Sequence, residues 1–322
     1  MKHAILAADL GGTNLRMAVV DLEGEILYRS RRATPQSRTR EPVTQLIADV
    51  AEECRNAVSD SYLVTSFGFA VPAVVQGRTG KILSAPNLPD LDDYDIGTEL
   101  SKRLSLPVII ENDANSAAVG EHWKGASQGA SSVIHITLGT GVGGGLILND
   151  QPWRGIDGTA GEIGHICVEP FGVKCGCGSN GCLEQYASAS AVVRMATEII
   201  AEYPDSKIAE LPEITSYDVF QAGVAGDAAA VEVFRKLGFY LGVALGGLVN
   251  VLNPEVIVIG GGASNGWGLF AETLKNEVKK RAFDSPADRA KIVKATIGDD
   301  AGILGVALLA MRHGREAATK IA

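Results

Sequence analysis

A chain of 322 residues, 46% of them hydrophobic, is long for one core and has the apolar material for two. The formal net charge of −9 and the pI near 5.2 oppose binding to a nucleic-acid backbone. The apolar opening breaks at Asp9 and no later stretch reaches about 18 uninterrupted apolar residues, so neither a secretory leader nor a spanning helix is expected, and a cytoplasmic location without membrane contact is.

Residues 4–8 read as a strand ending at Asp9, followed by Gly11, Gly12, Thr13 and Asn14, a second strand over 17–21, a turn at Glu23 and Gly24, and a third strand over 26–29. This is an antiparallel meander whose first tip concentrates an acid, two glycines, a threonine and an asparagine. Such a tip suits phosphate oxygens approaching main-chain N–H groups, with Asp9 placed for a hydrated Mg2+ and Arg16 adding a charge-assisted contact. A plain turn is the alternative. The basic run 29–40 lacks interleaved aromatics and is expected as a solvated loop. Residues 42–58 have helical periodicity, 64–72 read as a buried strand, and 81–83 as a short strand entering a proline-held loop. Asn87 in that loop is a ligand candidate or a turn former. A helix over 96–104 and a strand over 107–110 lead to Glu111-Asn112-Asp113-Ala114-Asn115, then a helix over 116–123. Polar side chains between a strand's carboxyl end and a helix sit where open α/β sheets hold ligands, which makes Asp113 a candidate general base and Asn112 its hydrogen-bonding neighbour. Helix capping by Asp113 is the alternative.

A strand over 133–137 runs into Leu138-Gly139-Thr140-Gly141-Val142-Gly143-Gly144-Gly145 and a further strand over 146–148. The glycine run continues into a strand and not a helix, so a dinucleotide fingerprint fails its context. Recurrence of strand, glycine tip and strand about 130 residues after the first argues for a duplicated α/β unit. Beyond it, 188–201 reads as a helix, 203–217 as a polar surface excursion, and 228–252 as a long apolar periodicity with Gly238, Gly242, Gly246 and Gly247 for close helix packing. A buried strand over 256–259 ends in a third glycine cluster, where Gly261 and Gly262 suit backbone passing close to a nucleotide. A helix over 268–281, a strand over 292–295 and a helix over 301–312 close the chain.

The segment 161–184 carries the densest chemistry. Cys175, Cys177 and Cys182 form C-x-C-x4-C, and His165 lies ten positions ahead, giving three thiolates and an imidazole for one tetrahedral, structural Zn2+. A disulfide or inert buried thiols are the alternatives; Cys54 and Cys167 fall outside the spacing and are expected as packed thiols. Glu162, His165 and Glu184 flank the segment, and convergent carboxylates with an imidazole suit a small polyhydroxylated ligand, although solvated loop acids explain the two glutamates equally well.

Taken together, D-L-G-G-T-N-L-R at 9–16, E-N-D-A-N at 111–115, L-G-T-G-V-G-G-G at 138–145, G-E-I-G-H at 161–165 and C-G-C-G-S-N-G-C-L-E at 175–184 resemble the ROK family, and within it the bacterial glucokinases. The resemblance implies a duplicated actin-like, hexokinase-like (ribonuclease H-like) α/β ATPase fold with two domains around a cleft: residues 1–115 completed by a helix at 301–315, and residues 116–300. It implies ATP-dependent phosphorylation of glucose at the 6-hydroxyl with Asp113 as base. Asn112, Glu162, His165 and Glu184 would hold the other hydroxyls, with Asn87 a further candidate. Asp9, Gly11, Gly12 and Thr13 would form the first phosphate site, Thr140 and Gly141 the second, and Gly261 and Gly262 the adenosine side. His165 would serve both zinc and sugar. Dimers or tetramers are usual in the family. Ala73 follows Pro72 where the family commonly has glycine, a departure at one edge of the sugar pocket. Kinases for N-acetylmannosamine, fructose or allose are the same-class alternatives. A non-catalytic, sugar-sensing regulator is the other, opposed by the acidic charge and by only eight residues ahead of Asp9.

Overall fold

The computed structural model describes residues 1–76, 80–86 and 88–321, with side chains described as far as Gly314. Tertiary contacts divide the chain into two compact units, Met1–Gly129 with Gly145–Gly161 and Thr296–Ala322, and Ala130–Gly144 with Glu162–Ala295. The division expected at 115/116 would cut a helix, Asp113–Lys124, that is continuous. Among the described residues no helix is long and apolar enough to cross a membrane.

The first unit is built on β1 (Lys2–Leu10), β2 (Asn14–Asp21), β3 (Ile26–Ala33), β4 (Tyr62–Val71) and β7 (Val108–Asn112), with a small hairpin of β5 (Val74–Val75) and β6 (Ile82–Ser84) beside them. The large sheet runs β3-β2-β1-β4-β7. β1 and β4 are covered on both faces, which is why they read as nearly unbroken apolar runs. Phe67 and Phe69 are wholly buried, each burial contributing about 2 to 3 kcal/mol. β3 differs from expectation: half of the basic run is strand. Arg29, Arg31 and Arg32 ride on an edge strand, where exposed charges are tolerated and discourage pairing with another chain. Around the sheet lie α1 (Arg40–Ala57), α2 (Ile96–Leu104), α3 (Asp113–Lys124) and, from the far end of the chain, α10 (Ala301–Ile321). The last helix runs past both expected ends, 312 and 315.

Strands β8 (Ser132–Leu138), β9 (Val142–Leu148), β10 (Gln151–Pro152), β11 (Val256–Gly260) and β12 (Lys291–Lys294) form a second sheet in the order β10-β9-β8-β11-β12. Numbered within each sheet, both orders read 3-2-1-4-5, the duplication anticipated from the recurring glycine tips. β9 passes from the second unit into the first at Gly144/Gly145. The second unit holds α4 (Glu184–Ala187), α5 (Ala189–Ile199), α6 (Ser216–Val224), α7 (Ala228–Leu252), α8 (Trp267–Arg281) and α9 (Asp284–Arg289). α7 starts at Asp227, whose side chain accepts from the Ala230 N–H, and stops at Asn253, left-handed at φ 46° and followed by Pro254. Gly238, Gly242 and Gly246 face α8, as expected of close packing, whereas Gly247 is exposed: a Cβ at Gly238 would meet the Phe270 carbonyl oxygen 2.6 Å away.

Backbone proximity also sets the packing of α10 on α3. A methyl at Gly305 would fall inside contact distance of the Ser116 carbonyl oxygen and 2.8 Å from the Gly120 nitrogen, and neither backbone atom can step aside. Gly305→Ala is expected to destabilise the protein by at least about 1 to 3 kcal/mol through overpacking, read as a lower urea midpoint at unchanged m-value.

Candidate functional site

In the first unit the register does the assembly. β1 and β2 pair Asp9 with Arg16, β1 and β4 pair Asp9 with Ala70, and β4 and β7 pair Val71 with Asn112. Asp9, Arg16, Asn112 and Asp113 are therefore delivered to one edge of one sheet, at the carboxyl ends of its parallel strands. Asp9 is buried, and its carboxylate accepts from Arg16 Nη2 at 2.5 Å, while Arg16 Nη1 lies 3.5 Å from Asp299. Arg16 thus bridges two acids. The tip itself is closed by the Gly11 N–H donating to the Asn14 carbonyl at 2.8 Å. It is held from outside by residues the sequence did not flag. The Thr34 hydroxyl donates to the Gly11 carbonyl at 2.9 Å, the Thr34 N–H to the Thr13 carbonyl at 2.9 Å, and Arg38 Nη2 to the Gly12 carbonyl at 3.1 Å. Asn14 accepts from Arg31 Nε at 3.2 Å, so its side chain shapes the hairpin.

At the start of α3 the cap is Asn112. Its side-chain oxygen accepts from the N–H groups of Ala114 and Asn115 at 2.9 and 3.0 Å, and its amide donates to the Ala73 carbonyl at 3.2 Å. A cap of this kind stabilises a helix by about 1 kcal/mol. Asp113 is thereby the first helical residue, half-buried, with Oδ1 accepting from the Ala114 N–H at 2.9 Å. The capping alternative for Asp113 is replaced by its neighbour. A direct role for Asn112 toward a ligand rests on its remaining amide N–H. Asn87 lies outside the described residues.

In the second unit, β8 and β11 pair Thr137 with Gly260, which brings the second and third glycine clusters to one sheet edge. Gly261, at φ 81°, sits against the Leu138 backbone, where a Cβ would lie 2.5 Å from the carbonyl oxygen. The Ser190 hydroxyl donates to the Thr140 carbonyl at 2.9 Å, and the Ala189 N–H to the Gly139 carbonyl at 2.8 Å. Glu184 Oε2 accepts from the Val142 N–H at 3.1 Å and occupies the space a Cβ on Gly141 would need. Thr140, Gly141 and Glu184 therefore form one cluster. Thr140 and Gly262 also line a cavity of about 350 Å³ walled by Tyr217, Phe220 and Phe234. Those aromatics come from α6 and α7. The excursion expected over 203–217 ends in a capping box, Thr215 with Asp218, that was the available signal for α6.

The segment from 161 to 184 gathers its expected donors. One ligand atom from each of His165, Cys175, Cys177 and Cys182 lies within 4.8 Å of every other. Cys177 and Cys182 Sγ are 3.6 Å apart, and His165 Nδ1 is 3.7 Å from Cys175 Sγ. Ligands about 2.3 Å from a tetrahedral zinc ion are separated by about 3.8 Å, so the donor set fits such an ion. Burial, then the neighbouring thiols, pushes Cys182 up to about 12, while the Ser179 backbone pulls Cys177 down. A shared cation is what would let these sulfurs ionise together. His165 Nε2 points away from the thiols, 3.9 Å from Glu162 Oε2, with both side chains partly exposed. Cys54 is packed as expected, its thiol raised to about 12 by burial, whereas Cys167 is exposed.

Two sheets of identical order, each with a glycine tip at the carboxyl edge of its parallel strands, define an actin-like, hexokinase-like α/β ATPase fold. The sequence profile of the ROK family matches residues 5–313. The chain is 40% identical over 307 residues to a glucokinase of Halalkalibacterium halodurans, covering 93% of this chain and 92% of that one. It superposes on the ROK family glucokinase from Streptomyces griseus in complex with glucose and AMPPNP with a TM-score of 0.81 at 35% identity, covering 96% of this chain and 99% of that one. It also superposes on a ROK family transcriptional regulator, a homologue of the MLC protein of E. coli, with a TM-score of 0.90 at 28% identity, over 98% of this chain and 79% of the regulator. The chain belongs to the ROK family.

The Asp9 carboxyl is held above its ordinary value of 3.8: burial raises it most, Arg16 pulls it back through charge and hydrogen bond, and Asp299 raises it. The folded state therefore binds this proton more tightly than the unfolded chain. That stabilisation is complete below pH 3.8 and is lost as pH rises through the folded pKa. Asp9→Asn should accordingly be more stable than the parent at about pH 7, with the gap shrinking toward about pH 4 in urea titrations.

Proposed function

We propose that the chain transfers the terminal phosphoryl group of ATP to the 6-hydroxyl of glucose, with Asp113 as the general base. The observation that carries this reading is the near full-length 40% identity to a glucokinase. The placement of Asp113 supports it: the residue is the first of α3 and directly follows the carboxyl end of β7, where open α/β sheets hold their ligands. Phosphoryl transfer asks little covalent work of a protein, which must align donor and acceptor, neutralise charge and take one proton.

On this reading Asn112, Glu162, His165 and Glu184 hold the remaining hydroxyls, and Asn87 is a further candidate. Asp9 binds the hydrated Mg2+ that neutralises phosphate charge, and Gly11, Gly12, Thr13 and Arg16 line the first phosphate site, with Asn14 closing its hairpin. Thr140 and Gly141 line the second site. Gly261 and Gly262 flank the adenosine, for which the cavity of about 350 Å³ with its aromatic wall is a fitting size and chemistry. His165, Cys175, Cys177 and Cys182 hold a structural Zn2+, which keeps the loop from 162 to 184 in one shape and leaves His165 Nε2 for a hydroxyl. The likeness to a transcriptional regulator supports a second reading, sugar sensing without turnover. ATP consumption with a panel of hexoses separates the two and ranks glucose against N-acetylmannosamine, fructose and allose.

Asp113→Asn is expected to lower kcat by about 100-fold or more while glucose binding stays measurable by titration. Near-normal kcat would remove the base role. Cys177→Ser is expected to lose the zinc by metal analysis and to weaken glucose binding; retention of zinc at the parent's stoichiometry would refute that donor set.

A further inference from the structure

Glu111 is the last residue but one of β7, two residues before Asp113, and its side chain is only 7% exposed. A carboxylate so placed needs its oxygens met by donors. Oε1 accepts from the Asn112 N–H at 3.0 Å and from Asn115 Nδ2 at 3.3 Å, and Oε2 accepts from Arg154 Nε at 2.6 Å. The two local donors belong to the turn on which Asp113 sits. Arg154 comes from beyond β10, on the loop that precedes Glu162. Its carbonyl accepts from the Ala160 N–H at 3.1 Å, which closes that loop on its own stem. Arg154 is therefore a post with two attachments, its guanidinium on the turn into α3 and its backbone on the loop leading to residue 162.

We propose that Glu111 and Arg154 are positioning residues for Asp113: their ion pair, buried on the Glu111 side, fixes the β7–α3 turn and so holds the Asp113 carboxylate in one orientation. The inference rests on Asp113 being the base. Removing Arg154 leaves Glu111 buried and uncompensated, and either its protonation or its rotation takes an acceptor from Asn112 and Asn115. The turn then relaxes. A displacement of about 1 Å at a reacting group is enough to slow turnover by roughly 100-fold.

The test is steady-state kinetics with glucose and ATP on Arg154→Met, Arg154→Lys, Glu111→Gln, Asp113→Asn and the Arg154→Met/Asp113→Asn double variant. Arg154→Met should lower kcat by about 30- to 100-fold with the glucose KM within about threefold of the parent. Arg154→Lys should recover part of the loss, since an ammonium keeps the charge without the planar fork. The double variant should be no more than about threefold slower than Asp113→Asn alone, because a residue acting through Asp113 has nothing left to act on. A parental kcat in Arg154→Met, a raised KM at unchanged kcat, or full additivity in the double variant overturns the proposal. If circular dichroism shows Arg154→Met unfolded, Arg154→Lys and Glu111→Gln carry the same comparisons. Near-normal kcat in Asp113→Asn removes the base and the pair's role with it. An inactive Asp113→Asn beside an unaffected Arg154→Met overturns the pair alone.

Discussion

A carboxylate stays inside a folded chain only where its oxygens are met by donors, and the first unit is organised around two that meet this condition at opposite ends of α3. Glu111 does so before the helix begins. Glu121, wholly buried near the other end, accepts from the N–H groups of Ala126, Thr296 and Ile297 at 2.8, 3.0 and 2.8 Å. These donors lie on the segment leaving α3 and on the segment entering α10. One side chain thereby sets the exit from α3 and the approach to α10, whose glycines then let the two helices touch backbone to backbone. The orientation of Asp113 inherits its precision from this frame.

The second unit fixes its irregular segment by a different route. Ahead of α4, residues 162–183 contribute a short 3-10 turn and isolated bridges, little regular structure to hold a loop. Three sulfurs and an imidazole converge there instead. The four donor atoms lie within 4.8 Å of one another, a separation that fits a tetrahedral metal site, a device that needs few residues and tolerates solvent. The glycines around it serve the wrapping, as with Gly181 at φ 68°, pressed against the Glu169 backbone.

What could be read from the sequence was what depends on near neighbours. The apolar strands, each glycine tip and the Cys/His cluster arise from residues within about 20 positions of one another, and the duplication was legible because one such local pattern recurs about 130 residues later. The misreadings have physical causes. Asp113 against Asn112 as cap is a choice decided by one peptide's dihedral angles, φ −61° and ψ 143° at Asn112, which residue type alone leaves open. The first half of the basic run became strand because an edge position tolerates arginine, a fact about neighbours in the sheet and not about the run. Contacts spanning long separations were invisible: Glu184 to Val142 over 42 positions, Arg154 to Glu111 over 43, and Glu121 to Thr296 over 175.

Equal strand order did not produce equal tips, and the difference is instructive. In the first hairpin the acid belongs to the central strand itself. Asp9 is buried beneath the loop, where burial raises its carboxyl and Arg16 pulls it back. In the second hairpin the corresponding strand ends in apolar Leu138, and the acid is supplied from a helix start, where Glu184 meets the Val142 N–H and fills the space beside Gly141. The first acid meets an arginine side chain, and the second a backbone N–H. A duplicated fold can divide labour in this way because the sheet only delivers its tips to an edge; which group stands there is decided by one or two substitutions that leave the register untouched.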